Sequence, residues 1–250
     1  MLSTISRGAG SVFSLGGNIS NAGYGPFPIA TANVTGTSTN TTTVSSSTLT
    51  YPANAFIMAF FGADFNVSPG NPDVSISGGG LTWNTWINSP YTPGNSSFGN
   101  RIFIGYASGN TNGGSVVTTI TAPNRWDVAT LMVLSFTGVD LVNPFLGFSG
   151  TYYINQTSNS NTANVRYSNA SSNSTAIFYH TTSNSLPPTQ PIFPNSYAVS
   201  ANGSGGTYYQ LSRLDLKYFT GPQVNVAANC TTFTAWDEII TIGLRPPVIL

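Results

Sequence analysis

Charge is scarce in this sequence. Seven basic and seven acidic side chains make up 6% of its 250 residues, against about 25% in an ordinary soluble domain. Lys217, Glu238, His180 and Cys230 are each the sole example of their type. Each shortage excludes something. Without a concentration of Lys and Arg there is no surface to follow a phosphate backbone, so nucleic acid is not an expected partner. A single Cys forms no intrachain disulfide, and Cys230 reads as a small buried thiol. With one His there is neither a zinc cluster nor a well-supported Ser-His-Asp arrangement, and no Gly-x-Ser-x-Gly elbow occurs. The adjacent carboxylates Asp237 and Glu238 point to opposite faces of a strand, so they make no glycosidase pair. An enzyme is not expected, and no cofactor is called for.

Long apolar runs are also missing. No window of eighteen apolar residues exists, so no membrane-spanning helix is expected. The opening MLSTISRGAGSVFSLGGNIS lacks the continuous apolar segment of a secretory signal. The expectation is a chain whose signal has been removed, or one that leaves its cell without a signal, as a virion component does.

Ser, Thr, Asn and Gly fill the place of charge. Disordered chains are poor in aromatic and β-branched residues and rich in net charge, whereas this one has 12% aromatics and a formal charge of zero. It should fold. Helix formers are scarce, strand formers are abundant, and 26 Gly and 16 Pro supply turns, so the fold class is all-β.

Short strand-like runs separated by turn residues at intervals of about ten predict an antiparallel β-sandwich. Residues 1–41 read as an N-terminal arm able to lie along a neighbouring subunit. Thr42 to Thr50 reads as a polar strand and Ala53 to Phe61 as a buried one. LTWNTWI alternates, placing Trp83 and Trp86 on opposite faces. WDVATLMVLSF reads as a central strand, with Trp126, Val128, Thr130, Met132, Leu134 and Phe136 on one face and Ala129, Leu131 and Val133 on the other. The Pro-rich SLPPTQPIFPNS is a surface loop.

Four features recur in order about 110 to 120 residues apart. NAFIMAFFGA corresponds to STAIFYHTT, IFIGYASGN to LDLKYFTGP, VVTTIT to QVNVAAN, and RWDVATLMVLSF to AWDEIITIGL. The chain is therefore expected to hold two similar halves, 42–150 and 151–250, packed as one large sandwich or two apposed ones. The repeated Trp-Asp pair marks equivalent strands. The spacing is too long for a propeller blade, which repeats at about 40 to 45 residues.

Candidate sites are few. Trp83, Trp86 and Tyr91, beside several Asn, supply flat rings and amides suited to sugar faces. Asp64 and Asp73, with Asn66 and Asn71, place oxygen ligands in one loop and suit calcium, although the spacing fits no EF-hand. Asn66, Asn95, Asn155, Asn169, Asn173 and Asn202 lie in Asn-x-Ser/Thr sequons and are candidate glycosylation sites. With so few carboxylates, stability should change little from neutral to strongly acidic pH.

The order of GGGLTWNTW, RIFIGYASG, SVVTTITAP, DVATLMVLSFTGVD and AWDEIITIGLRP resembles a jelly-roll-like or lectin-like β-sandwich module found in phage and archaeal-virus virion proteins and secreted surface proteins. The turn formed by Phe136, Gly138, Val139 and Asp140 is part of that likeness. It covers most of residues 42–247 and carries over no catalytic residue. It implies a structural subunit exposed on a virion or other extracellular assembly, partnered by copies of itself and by other proteins of that assembly. The alternative is a secreted or virion-borne module that binds host surface glycans.

Overall fold

The computed structural model describes residues 28–65, 74–90, 99–109, 112–154, 161–167, 173–183, 195–202, 209–219, 226–232 and 237–247. Among them there are strands and no helix, as the scarcity of helix formers predicts. The first half supplies β1 (Ile29–Ser45), β2 (Leu49–Tyr51), β3 (Phe56–Phe65), β4 (Ser75–Ser77), β5 (Asn84–Pro90), β6 (Gly99–Ser108), β7 (Gly114–Val116) and β8 (Thr119–Thr137). The second supplies β9 (Phe145–Ile154), β10 (Asn161–Tyr167), β11 (Thr175–Ser183), β12 (Asn195–Asn202), β13 (Tyr209–Tyr218), β14 (Val226–Thr232) and β15 (Asp237–Leu244).

Every ladder is antiparallel. In the first half the sheet runs β1-β8-β3-β6-β5, β4 joins the far end of β8, and β2 pairs with β7 in a separate layer. The large sheet and the β2–β7 pair are thus the two layers of an antiparallel sandwich. The second half repeats it: β9-β15-β11-β13-β12 form one sheet and β10 pairs with β14. Strand for strand, β9 takes the place of β1, β15 of β8, β11 of β3, β13 of β6 and β12 of β5. Three of the four sequence correspondences fall on these matched strands, while VVTTIT runs from β7 into β8 and its counterpart QVNVAAN reaches β14.

Two cores result. Val44, Leu49, Tyr51, Ile57, Phe61, Trp126, Leu131 and Val133 are among the buried residues that fill the first roll, between its large sheet and the β2–β7 layer. On the opposite face of the same strands, Phe56, Met58, Phe60, Met132, Leu134 and Phe136 meet Ile177, Tyr179, Leu214, Ile240 and Ile242 of the second roll. The alternation of β3 explains this division, since odd and even positions of FIMAFFGADF serve different cores. Both faces are apolar because both are covered. Each large side chain buried this way contributes about 1.5–3 kcal/mol.

β1 and β8 are long because the ribbon they form folds over its own sheet. Their pairing keeps one register from Thr39–Val128 to Thr41–Trp126 and shifts between Thr41 and Thr43. Asn40 sits at φ 52, in the left-handed region that Asn tolerates better than most residues. The fold brings the Ser47 N–H to Thr35 O at 3.0 Å. A side chain at Gly36 would strike the backbone of Ser45 and Ser46, which explains a glycine inside a Thr-rich strand.

Several boundaries differ from the sequence expectation. Residues 29–41, read as arm, are strand β1 and pair with β8 of the same chain; residues 1–27 lie outside the described part. Thr42 to Thr50 is not one strand, because β1 ends at Ser45 and β2 begins at Leu49. The second half opens with β9 at Phe145, before the expected boundary at 151. Trp126 lies mid-strand and joins Ala129, Leu131 and Val133 in the first roll's core, opposite Met132 and Leu134. The fold at Asn40 and Asp127 breaks the simple alternation that had placed it with them. The Pro-rich loop from Pro187 to Pro194 lies outside the described residues.

Candidate functional site

The described carboxylates closest to unusual chemistry sit where two apolar strands end. β3 ends its buried run at Asp64, which pairs with Val128 on β8 and Asn100 on β6. Asp127 precedes Val128, at the fold of the β1–β8 ribbon. Each aspartate is 7% exposed. Burial, with the nearby charge of Asp127 adding to it, pushes the Asp64 carboxyl up to about 7. Burial also raises Asp127, against the opposing charge of Arg125. Asp127 Oδ2 is buried and has no hydrogen-bond partner.

The expected partners of Asp64, namely Asp73, Asn66 and Asn71, lie outside the described residues; among the described residues the carboxylate whose charge acts on Asp64 is Asp127. The sequence held a signal for it. Laying AFIMAFFGAD antiparallel to WDVATLMVLSF sets the Asp at the end of one run beside the Asp at the start of the other. Among the described residues no group of three or more His, Cys, Asp or Glu side chains is placed to hold a metal.

The aromatic candidates are not brought together. Trp83 packs against the core of the first roll, and its Nε1 donates to Gly78 O at 3.2 Å. Trp86 packs on the other side of the sheet, against the core between the rolls, with its ring centroid 3.6 Å from that of Phe145. The alternation had placed them on opposite faces, and that same alternation denies them a common platform. Tyr91 lies outside the described residues.

Of the sequon residues, Asn66, Asn95, Asn155 and Asn169 lie outside the described part. Asn202 is exposed at the end of β12. Asn173 is a correction: it is only 2% exposed and adopts φ 62, so it serves a turn beneath the surface and has no room for a sugar.

Two polar groupings escaped sequence reasoning. Between the rolls, Thr130 Oγ1 lies 2.7 Å from Ser212 Oγ and 3.3 Å from Gly62 O. Tyr179 Oη lies 2.9 Å from Ser212 Oγ, Ser212 donates to Thr181 Oγ1 at 3.2 Å, and the Gln210 amide donates to Thr181 as well. Such a connected network fixes how two otherwise apolar faces dock. On the other face of β11 and β13, His180 lies in register with Arg213, and Arg213 Nε pairs with Asp215 Oδ2 at 3.2 Å, both side chains buried. A buried ion pair of this kind neutralises its own charge. No sequence pattern announces the first grouping, because it is assembled from strands distant along the chain, whereas Arg213 and Asp215 lie two residues apart on β13, the same-face spacing of a strand.

Fold and site together define a class: an all-β protein of two antiparallel jelly-roll-like sandwiches, with a buried aspartate pair in the first. No protein-family model, no curated protein and no solved structure matches the chain.

Proposed function

We propose that the chain is a self-assembling, non-catalytic structural subunit displayed on a virion or comparable extracellular assembly, as a capsid decoration, turret, spike or fibre. The observation that carries this reading is an unguarded sheet edge. Among the described residues β12 stands at the edge of its sheet. Over its 8 residues it has no charged side chain and no proline, and it pairs with β13 without a register shift. Proteins that remain monomeric blunt such edges with Lys, Pro or bulges, whereas an unguarded edge offers main-chain N–H and C=O groups to a further strand. The likeness to virion modules noted from the sequence agrees with it. Jelly rolls serve both capsid and lectin proteins, so the fold alone decides nothing between them.

The lectin-like reading has less support, since Trp83 and Trp86 face different cores and each ring is already engaged. Electron imaging of the purified chain over a range of concentrations tests the assembly reading. Closed rings, shell fragments or filaments are expected. A particle that stays monomeric throughout, and on a glycan array binds sugars through Trp83 or Trp86, would overturn it in favour of the alternative.

A further inference from the structure

The large sheet of the second roll differs from its counterpart in a way that topology does not require. Thr175 pairs with Tyr218 and Leu244 as Phe56 pairs with Ser108 and Phe136, so the two sheets can be laid one on the other position by position. Between the rolls the matched residues enter one shared core, as do Phe60 and Tyr179, Ile104 and Leu214, and Met132 and Ile240. On the other face they are unlike. Where the first roll has Phe61, Phe103, Gly105 and Val133, the second has His180, Arg213, Asp215 and Thr241, each less than a tenth exposed. Lys217 follows two residues along β13, so Arg213, Asp215 and Lys217 alternate in sign along one face. That face carries one positive charge in excess.

Placing ionisable groups where a roll can have an aromatic core is costly unless their polar atoms are satisfied, and here they are not all satisfied. Asp215 takes only the Nε of Arg213, at 3.3 Å to Oδ1 and 3.2 Å to Oδ2. Among the described residues no hydrogen bond engages Nη1 and Nη2, although the side chain is 9% exposed. Thr241 Oγ1 is buried with no hydrogen-bond partner. The neighbouring edge strand supplies access. Ser196 and Ala198 of β12 pair with Asp215 and Arg213 and so share their face, and both are exposed. A shelf of small side chains thus adjoins a guanidinium that is nearly covered and has its terminal nitrogens to spare.

We propose that the second roll binds a small organic carboxylate on this face. The carboxylate accepts hydrogen bonds from Nη1 and Nη2 of Arg213, and the rest of the molecule lies over Ser196 and Ala198. A planar group with two oxygens matches the guanidinium fork. Its single negative charge cancels the excess on β13, which a phosphate dianion would overshoot. This assignment is independent of the assembly reading, since it needs neither a second copy nor the main-chain groups of the β12 edge.

His180 is the only histidine of the chain and stands across the ladder from Arg213, so its ring proton signals report on the site without ambiguity. Titrating the full chain with glucuronate at constant pH should shift those signals saturably. Glucose, which lacks the carboxylate, should not shift them, and inorganic phosphate should bind more weakly than glucuronate. Arg213→Lys keeps the charge and loses the fork. It should raise the Kd at least about tenfold, since one hydrogen bond between charged groups is worth that much or more. Ala198→Phe fills the shelf from an exposed position, should weaken binding similarly with a melting temperature close to that of wild type, and decides the matter if Arg213→Lys does not fold. Arg125→Lys, on the exposed side of β8, should leave binding unchanged. The absence of a saturable shift with glucuronate overturns the proposal. Equal binding of glucose or phosphate does so too, as does wild-type affinity in both Arg213→Lys and Ala198→Phe; the buried group would then serve only to fix the fold of the second roll.

Discussion

Gly62 shows how closely the two rolls approach. It lies on β3 facing the second roll, and a methyl group there would run into Thr181 Oγ1, Ser212 Oγ and the Gln210 amide. Gly62→Ala therefore crowds a hydrogen-bonded network and should destabilise the chain by about 1–3 kcal/mol, read as a lower denaturation midpoint with an unchanged slope. Asp64 makes a different prediction. Its carboxyl is raised from 3.8 to about 7 in the folded state, so the folded chain holds the proton more tightly than the unfolded chain does. The resulting stability is fully present below about pH 4 and is lost as pH rises towards 7, because ionising Asp64 opposes its burial. Wild type should lose on the order of 2–4 kcal/mol between pH 4 and pH 8, and Asp64→Asn should be nearly flat over that range. Equal slopes for the two chains in melting experiments would refute this. The sequence alone suggested flatness, since it counted few carboxylates; it could not show that one of them is buried beside another.

At the scale of strands, much was legible and the exceptions have causes. β3 and β11 stand out as apolar runs, the Trp-Asp pairs mark β8 and β15, and the order of repeated features matches the order of strands in both rolls. β1 was misread because Thr, Ser and Asn fill most of IATANVTGTSTNTTTVS, with Ala30, Ala32, Val34 and Val44 reaching the cores, and an edge strand that folds over its own sheet needs no regular apolar alternation. The aspartate pair was missed for a related reason: proximity across a ladder depends on register, and register becomes visible only when partners are known. The unguarded β12 edge carries its own prediction. Ser200 is exposed on β12, where a lysine would give the edge the charge it lacks. Ser200→Lys should leave the melting temperature close to that of wild type, since surface changes fall mostly within about 0.5 kcal/mol. It should shift light-scattering mass towards the monomer. Oligomers of unaltered size and concentration dependence would remove β12 as an assembly edge.

Across the whole molecule the two rolls are related as if by a two-fold axis. β1 lies against β12, β8 against β13 and β3 against β11; exchanging each strand for its counterpart turns these into β9 against β5, β15 against β6 and β11 against β3. The first of these derived pairs is realised where Trp86 of β5 stacks on Phe145 of β9. The last falls at the centre, where the Phe60 and Tyr179 rings stand 5.3 Å apart. A self-complementary interface of this kind is what a symmetric dimer uses, here held within one chain, and its apolar core is as large in character as the core of a roll. Neither large sheet can face water alone, because the residues of β3, β8, β11 and β15 between the rolls are as apolar as those within them. The rolls should therefore unfold as one unit. Phe60→Ala removes the central ring and should cost about 3–5 kcal/mol. If the interface couples the rolls, tryptophan fluorescence and far-ultraviolet dichroism will report a single coincident transition in wild type, displaced as a whole in the variant. Two separated transitions, with only one moved by the substitution, would mean that each roll is stable without the other and that the sheet faces between them are held together by something weaker than a shared core.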